Sequence, residues 1–359
     1  MRRHSRKIWV GDVPVGGNAP VSVQSMTNTR TTDVKATLDQ IERMRRAGVR
    51  IVRLALPDAA AVAAFERIKG RSPVPLVADI HFDYKLALAA VDAGADKIRI
   101  NPGNIGGEKE VRAVVEKAVR HNIPIRVGVN SGSIEKRILE QEGGATVRAL
   151  VRSALENAAL CQRFGARDIV LSLKSSDVQR TIRAYEEISK ATDLPLHIGV
   201  TEAGTPRTGI VRSAVALGIL LNQGVGDTLR ISLTGDPVEE VRVGLEILKS
   251  LNLISRGVTL ISCPTCGRTE VDLIPIVERV EEQLMGIDKV LTVAIMGCVV
   301  NGPGEAREAD IGVACGKKSA VLFEKGRVIK KVAEGDIVDE LVQRVRSWKD
   351  NHLQRDAGS

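Results

Sequence analysis

The sequence predicts an α/β fold in which an N-terminal (β/α)8 TIM barrel (residues 1–254) is followed by a smaller α+β domain (255–359). Three observations predict it. Short β-branched runs alternate eight times with amphipathic helical patterns between residues 21 and 252. Polar or charged residues stand at or just past the C-terminal end of almost every run. After the eighth helix the alternation stops, and cysteines gather near two turns.

The runs are VSVQSM (21–26), IVRLAL (51–56), PLVADI (75–80) and KIRIN (97–101), then IRVGVN (125–130), DIVLSLK (168–174), LHIGVTE (196–202) and TLRISL (228–233). Between them, segments such as DVKATLDQIERMRRAG (33–48), EKEVRAVVEKAVRHN (108–122) and PVEEVRVGLEILKSLN (237–252) place apolar residues three and four apart, the period of a helix with one buried face. Strands alternating with helices imply parallel pairing and right-handed crossovers. Eight such units in about 230 residues suit a closed barrel. The competing open, doubly wound sheet would carry a Gly-rich phosphate turn after its first strand, and VSVQSMTNT has none.

Composition narrows the function. Aromatic residues make up only 2% of the 359 residues, so aliphatic side chains must fill the cores and few stacking platforms exist for single-stranded nucleic acid. The net charge of +8 is explained more economically by an anionic small substrate or an acidic protein partner, although a positive surface serving only solubility would read the same way. The opening MRRHSRK reads as a solvated end. No apolar run is long enough to cross a membrane and no export signal is visible, so a soluble, cytoplasmic protein is expected. Five cysteines in such a chain point to reduced thiols, a metal or a cluster rather than disulfides.

The polar strand ends are Gln24, Arg53, Asp79 with His81, Arg99 with Asn101, Arg126 with Asn130, Lys174, His197 with Glu202, and Arg230 with Ser232. In a barrel they converge on one mouth, where active sites of this fold lie. Four arginines and a lysine there would repel one another without an anion, and guanidinium groups suit phosphate oxygens, so a phosphate-bearing substrate is expected. Singly, each position has a plainer reading. Arg53 or Arg99 could be a paired interior group, His81 could order a loop, and His197 is as readily a packed histidine. Glu202 is the better acid–base candidate, yet it and Asp79 could equally be salt-bridge partners that hold the arginines apart.

In the second domain, GVTLISCPTCGRTEVDL (257–273) sets Cys263 and Cys266 in a turn after a strand. LTVAIMGCVVNGPGEA (291–306) brings Cys298 after another strand, with Glu305 on a Gly-Pro-Gly turn. Three thiolates suit a cubane cluster with one iron open or weakly held, and Glu305 could be that weaker ligand. The alternative is a structural zinc module on a cluster-free barrel enzyme that acts on a phosphorylated substrate. Cys161 reads as a buried small hydrophobe, and Cys315 as core packing at a strand end, with a spare thiol near the cluster as its alternative. A helix over 272–287, a hairpin over 318–333 and a helix over 336–352 complete the domain.

VQSMTNT, ADIHFDYKLA, KIRINPGN, RVGVN, LSLKSSD, VTEAGT, GDTLRISLTGDPVEEV, CPTCGR and GCVVNGPGEA follow one another from residue 23 to 306. Together they resemble the 4-hydroxy-3-methylbut-2-enyl diphosphate synthase family of the non-mevalonate isoprenoid pathway, in its two-domain bacterial form. The resemblance implies reductive ring opening and dehydroxylation of 2-C-methyl-D-erythritol 2,4-cyclodiphosphate with two electrons from reduced flavodoxin or ferredoxin. It implies a [4Fe–4S] cluster on Cys263, Cys266, Cys298 and Glu305. Arg53, Arg99, Arg126, Asn130, Lys174, Arg230 and Ser232 would grip the diphosphate, and Glu202 would act near the reacting carbons. It further implies a homodimer whose active site is shared between subunits. NSGS (130–133), where the family more often shows NAGS, is a small departure away from the proposed ligands.

Overall fold

The computed structural model describes residues 2–255, 257–298 and 309–348. The chain divides into two compact units, Met1–Ile254 and Ser255–Ser359.

The first unit opens with a small antiparallel hairpin, β1 (Ile8–Val10) and β2 (Val13–Val15). Then come β3 (Ser22–Met26), β4 (Ile51–Ala55), β5 (Leu76–Asp79), β6 (Lys97–Ile100), β7 (Ile125–Asn130), β8 (Ile169–Lys174), β9 (His197–Ile198) and β10 (Thr228–Leu229). These eight form one parallel sheet in the order β8-β7-β6-β5-β4-β3-β10-β9. The Leu171–Leu196 bridge joins its two ends and closes the circle. Tyr185 strengthens this seam: its hydroxyl donates to His197 O at 2.6 Å and accepts from Leu173 N at 3.0 Å.

The outer helices are α1 (Val34–Arg46), α2 (Ala59–Lys69), α3 (Tyr84–Asp92), α4 (Glu108–Arg120), a short α5 (Lys136–Gln141), α6 (Val147–Arg163), α7 (Val178–Ala191), α8 (Pro206–Asn222) and α9 (Pro237–Ser250). Their starts are written locally. Asp33, Asp58, Asp83, Thr146, Asp177 and Asp236 each accept a first-turn amide that the helix itself cannot satisfy. Pro206 and Pro237 occupy the first turn, where no amide proton is missed.

Two expectations need correction. The runs at 196–202 and 228–233 yield strands of only two residues. Beyond them pairing continues as single bonds, Arg230 N to Ile198 O and Thr201 N to Ser175 O, and a left-handed Glu202 (φ 52°) then turns the chain away. MRRHSRK is also no loose end. Arg2 and Arg3 both bridge Asp227, and the hairpin that follows buries Ile8, Val10, Val13 and Val15 against Ile51, Val77 and Val170, plugging the N-terminal end of the barrel.

The second unit holds β11 (Val258–Ser262), β12 (Leu291–Met296), β13 (Ile311–Gly316), β14 (Ser319–Glu324) and β15 (Arg327–Ala333), paired in that order. The first three are parallel and the last two form the expected antiparallel hairpin. The helices α10 (Leu273–Leu284) and α11 (Ile337–Ser347) bury Leu273, Val280, Leu341 and Val345 against Val293, Ile295 and Val313 of the sheet. The first of these stops short of the expected residue 287, where Gly286 takes a left-handed φ of 78°. Among the described residues, no helix is long and apolar enough to cross a membrane.

Candidate functional site

The C-terminal ends of the barrel strands form a cleft lined by Arg53, Asp79, His81, Arg99, Arg126, Asn130, Lys174, Arg230 and Ser232, and also by Ser172 and Thr201. The strands bring these side chains together because parallel register aligns them: Arg53 lies opposite Val77, Asp79 opposite Arg99, Arg99 opposite Arg126, and Asn130 opposite Lys174.

One carboxylate organises one side of the mouth. Asp79, buried, stands 3.3 Å from Arg99 Nη1, 3.8 Å from Arg53 Nε and 3.1 Å from His81 Nε2. Burial alone would favour the protonated acid. The charge of Arg53, the His81 hydrogen bond and Arg99 together outweigh it and hold the carboxyl well below the usual carboxylate range. Arg53 itself is pulled down to about 10, by burial first and against the attraction of Asp79, and its Nε and Nη2 also rest on the Met26 sulfur at 3.0 and 2.9 Å.

A second carboxylate comes from outside the strands. Glu240 of α9, buried, accepts from Arg230 Nη2 at 3.2 Å, Ser25 Oγ at 2.8 Å and Leu233 N at 3.1 Å. In the sequence it looks like an ordinary helix acid. The signal that could have found it is its place in the buried stripe Pro237–Glu240–Val241–Gly244.

The remaining cations have no such partner. Arg126 is 1% exposed, and its Nε and Nη1 have no hydrogen-bond acceptor. Burial, then the neighbouring Arg53 and Arg99, push it well below the ordinary arginine range despite Asp79. Lys174 is pushed down likewise, by burial first and then by Arg126, Arg230, Arg53 and Arg99. Five cations therefore share this mouth with two carboxylates among the described residues. Two glycines, read in the sequence simply as strand residues, make this crowding sterically possible. A Cβ on Gly128 would lie 2.6 Å from Arg99 Nε, and one on Gly199 would lie 2.4 Å from Arg230 O and 2.9 Å from Lys174 Nζ.

Other expected residues fall elsewhere. Asn101 is buried between two loops, donating to Ser133 O after β7 and accepting from Gly103 N of its own loop, and does not line the cleft. His197 is fully buried in the barrel interior, also outside the lining, and burial with Arg126, Lys174 and Lys97 nearby pushes its ring well below the usual histidine range. Gln24 is likewise fully buried. Glu202 is exposed in its left-handed turn, a backbone geometry that costs about 1–3 kcal/mol for a residue with a side chain.

In the second unit the thiols sit at the C-terminal ends of adjacent parallel strands. Cys263 follows β11 and Cys298 follows β12 by one residue. Gly297 N donates to Cys263 Sγ at 3.1 Å, so a backbone amide of the neighbouring strand end orients this sulfur. The exposed Cys266 lies in the turn between, pinned by its own N to Thr269 Oγ1 (3.1 Å) and by Glu270 N to Gly297 O (2.9 Å). Glu305 lies outside the described residues. Among those described, no three His, Cys, Asp or Glu side chains are already gathered around one point, so the fit to a sulfur-bound cluster is one of donor type and strand placement. Cys315, fully buried, is pushed up to about 11 by burial and then by Cys263 and other anionic neighbours, and Cys161 to about 12 by burial alone.

Comparison with known proteins now decides the family. Residues 5–245 match the GcpE TIM-barrel domain and residues 259–347 match the GcpE protein C-terminal domain. This chain belongs to the GcpE family. A relative from Geobacter sulfurreducens is 55% identical over 345 residues, covering 96% of this chain and 98% of the relative. One from Desulfotalea psychrophila is 52% identical over 357 residues, covering 99% and 98%. Both are named 4-hydroxy-3-methylbut-2-en-1-yl diphosphate synthase (flavodoxin). Among solved structures, dihydropteroate synthase from Xanthomonas albilineans (TM-score 0.52, 14% identity, 69% of this chain and 98% of that one) shares the barrel fold. So does 3-dehydroquinate dehydratase from Geobacillus kaustophilus (TM-score 0.51, 14% identity, 70% and 99%).

Proposed function

We propose that this GcpE-family protein is a 4-hydroxy-3-methylbut-2-en-1-yl diphosphate synthase, which reductively opens 2-C-methyl-D-erythritol 2,4-cyclodiphosphate and removes one hydroxyl. The observation that carries the reading is the mouth of the barrel: buried Arg126 and Lys174 face no carboxylate of their own, so the site is complementary to a polyanion. The names of relatives more than half identical over almost the full length support the same chemistry.

Each residue then has a task. Arg53, Arg99, Arg126, Lys174 and Arg230, with Asn130 and Ser232, bind the diphosphate. Asp79 and Glu240 fix the arginines so that little reorganisation accompanies binding. Glu202, in the turn that follows β9, would act near the reacting carbons. Cys263, Cys266 and Cys298, with Glu305, would hold a [4Fe–4S] cluster, whose displaceable ligand Glu305 would leave one iron open. When bound, that cluster supplies electrons one at a time and a Lewis acid for the leaving hydroxyl. Reduced flavodoxin or ferredoxin delivers the electrons, and the basic chain suits such acidic donors. The working form is a homodimer that shares its active sites between subunits, in the cytoplasm.

Anaerobic purification followed by electron paramagnetic resonance of the reduced protein, with and without the cyclodiphosphate, tests the assignment. A cluster signal that changes on adding the substrate is expected, and Cys298→Ser should lose both iron and turnover. A colourless, zinc-loaded protein with full activity would contradict it.

A further inference from the structure

Beneath the mouth lies a buried polar layer that shares Arg126 with the cleft but is otherwise outside its lining. Lys97 opens β6 two residues before Arg99, on the same face of the strand and about 6–7 Å deeper into the barrel. It is 0% exposed and its Nζ has no hydrogen-bonding partner. Gln24 on β3, Arg126 on β7 and His197 on β9 are buried too, with both Gln24 amide atoms, Arg126 Nε and Nη1, and both His197 nitrogens unpartnered.

The charged groups that act on Lys97 are Arg126 on β7 and Arg53 on β4. Lys97 in turn acts on His197, together with Arg126, Lys174 of β8 and Arg53. None of these is a carboxylate. Asp79 of β5 pairs with Arg53 and Arg99, and Glu240 of α9 pairs with Arg230. An ammonium at Lys97 Nζ has therefore lost its hydration, faces like charge and finds no anion. Burial first, then Arg126 and Arg53, push this amine well below the ordinary lysine range. An arriving polyanion reverses that balance, because it neutralises the cations nearest to Lys97 and offers it the missing counter-charge.

We propose that Lys97 couples anion binding to proton uptake: its amine is neutral in the free barrel and becomes an ammonium when a diphosphate seats on Arg53, Arg126 and Lys174. One proton moves from solvent to Lys97 Nζ, and no bond of the ligand changes. The barrel would thus carry its deepest charge only while the substrate is present. This rests on the diphosphate reading above and adds to it a residue that does not line the cleft.

The sign follows from linkage. The bound state holds more protons, so affinity falls as pH rises, by about tenfold per pH unit where one full proton is taken up. The test is calorimetric titration of the oxidised holoenzyme, without reductant, with the cyclodiphosphate in buffers of different ionisation heat at about pH 8. Each phosphorus of a cyclic diphosphate carries a single strongly acidic oxygen, so the ligand brings no titrating proton of its own. The wild type should take up about one proton and show the falling affinity. Lys97→Met should still bind, with neither uptake nor pH dependence, and Lys97→Gln serves the same purpose should the first variant not fold. His197→Asn should keep the uptake. Binding without uptake in the wild type, or uptake retained in Lys97→Met, whether His197 or the buried amine of Lys174 carries it, overturns the inference and leaves the diphosphate reading standing. Absence of any binding by the wild type overturns both.

Discussion

Both ends of the barrel draw arginines at least half-way out of water, and they treat them in opposite ways. At the N-terminal end, Asp227 takes Arg2 at 3.1 Å and Arg3 at 3.6 Å, with Ser5 Oγ and Leu196 N at 2.8 Å. The carbonyls of Ala19, Thr192 and Leu194 take more of the two guanidinium groups. That end gives both guanidinium groups a carboxylate and is then sealed by the apolar hairpin. At the C-terminal end, Arg126 and Lys174 are buried more deeply than either, without a carboxylate of their own. A matched buried charge belongs to the architecture. An unmatched one lowers stability and is accounted for by a ligand that supplies the missing charge.

The contrast is broken most severely at the sealed end. Asp227→Ala leaves two arginines and a buried amide without their acceptor and should cost about 3–5 kcal/mol in urea unfolding, while the folded fraction keeps its affinity for the cyclodiphosphate. An affinity loss as large as the stability loss would mean that the two ends are not separate in role.

At the open end the same kind of substitution should separate the two properties. Arg126→Met removes an unpaired buried cation, so stability should hold or rise, by up to about 4 kcal/mol. Affinity for the cyclodiphosphate should fall roughly 100-fold, which is about 2.7 kcal/mol. Thermal unfolding and calorimetry check the two arms, and a destabilised variant with unchanged affinity would reverse the assignment.

The smallest effect concerns pH. The carboxyl of Asp79 is held below its unfolded value of about 3.9. Its stabilising contribution is therefore complete above that value and is lost as pH falls through the lower folded one. The stability gap between wild type and Asp79→Asn should stay constant from about pH 6 to 8 and shrink below about pH 4. A gap that widened toward acid would show that the carboxyl is not depressed.

Much of this was legible in advance. Eight β-branched runs announced the barrel, and polar residues at their ends announced the mouth, because register in a parallel sheet turns a local pattern into a shared layer. The ties between distant segments were not legible. Nothing in MRRHSRK points to Asp227, which lies more than two hundred residues away. Glu240 resembled any solvent-facing helix acid, and Gly128 and Gly199 resembled strand fillers, since only packing shows which side chain passes over them. The pattern also overreached at 196–202 and 228–233, where an apolar alternation continued after the ladder had ended. Asn101 and His197 fit the strand-end rule, but one is held between two loops and the other lies inside the barrel. Lys97 was read only as part of a strand.

The central claim, that the barrel mouth is an unmatched cationic site for a diphosphate, is tested most directly by thermal unfolding with and without the cyclodiphosphate. The ligand should raise the wild-type melting temperature strongly, and the rise should nearly vanish in Arg126→Met. A melting temperature indifferent to the ligand, or a rise that survives that substitution intact, would contradict the account.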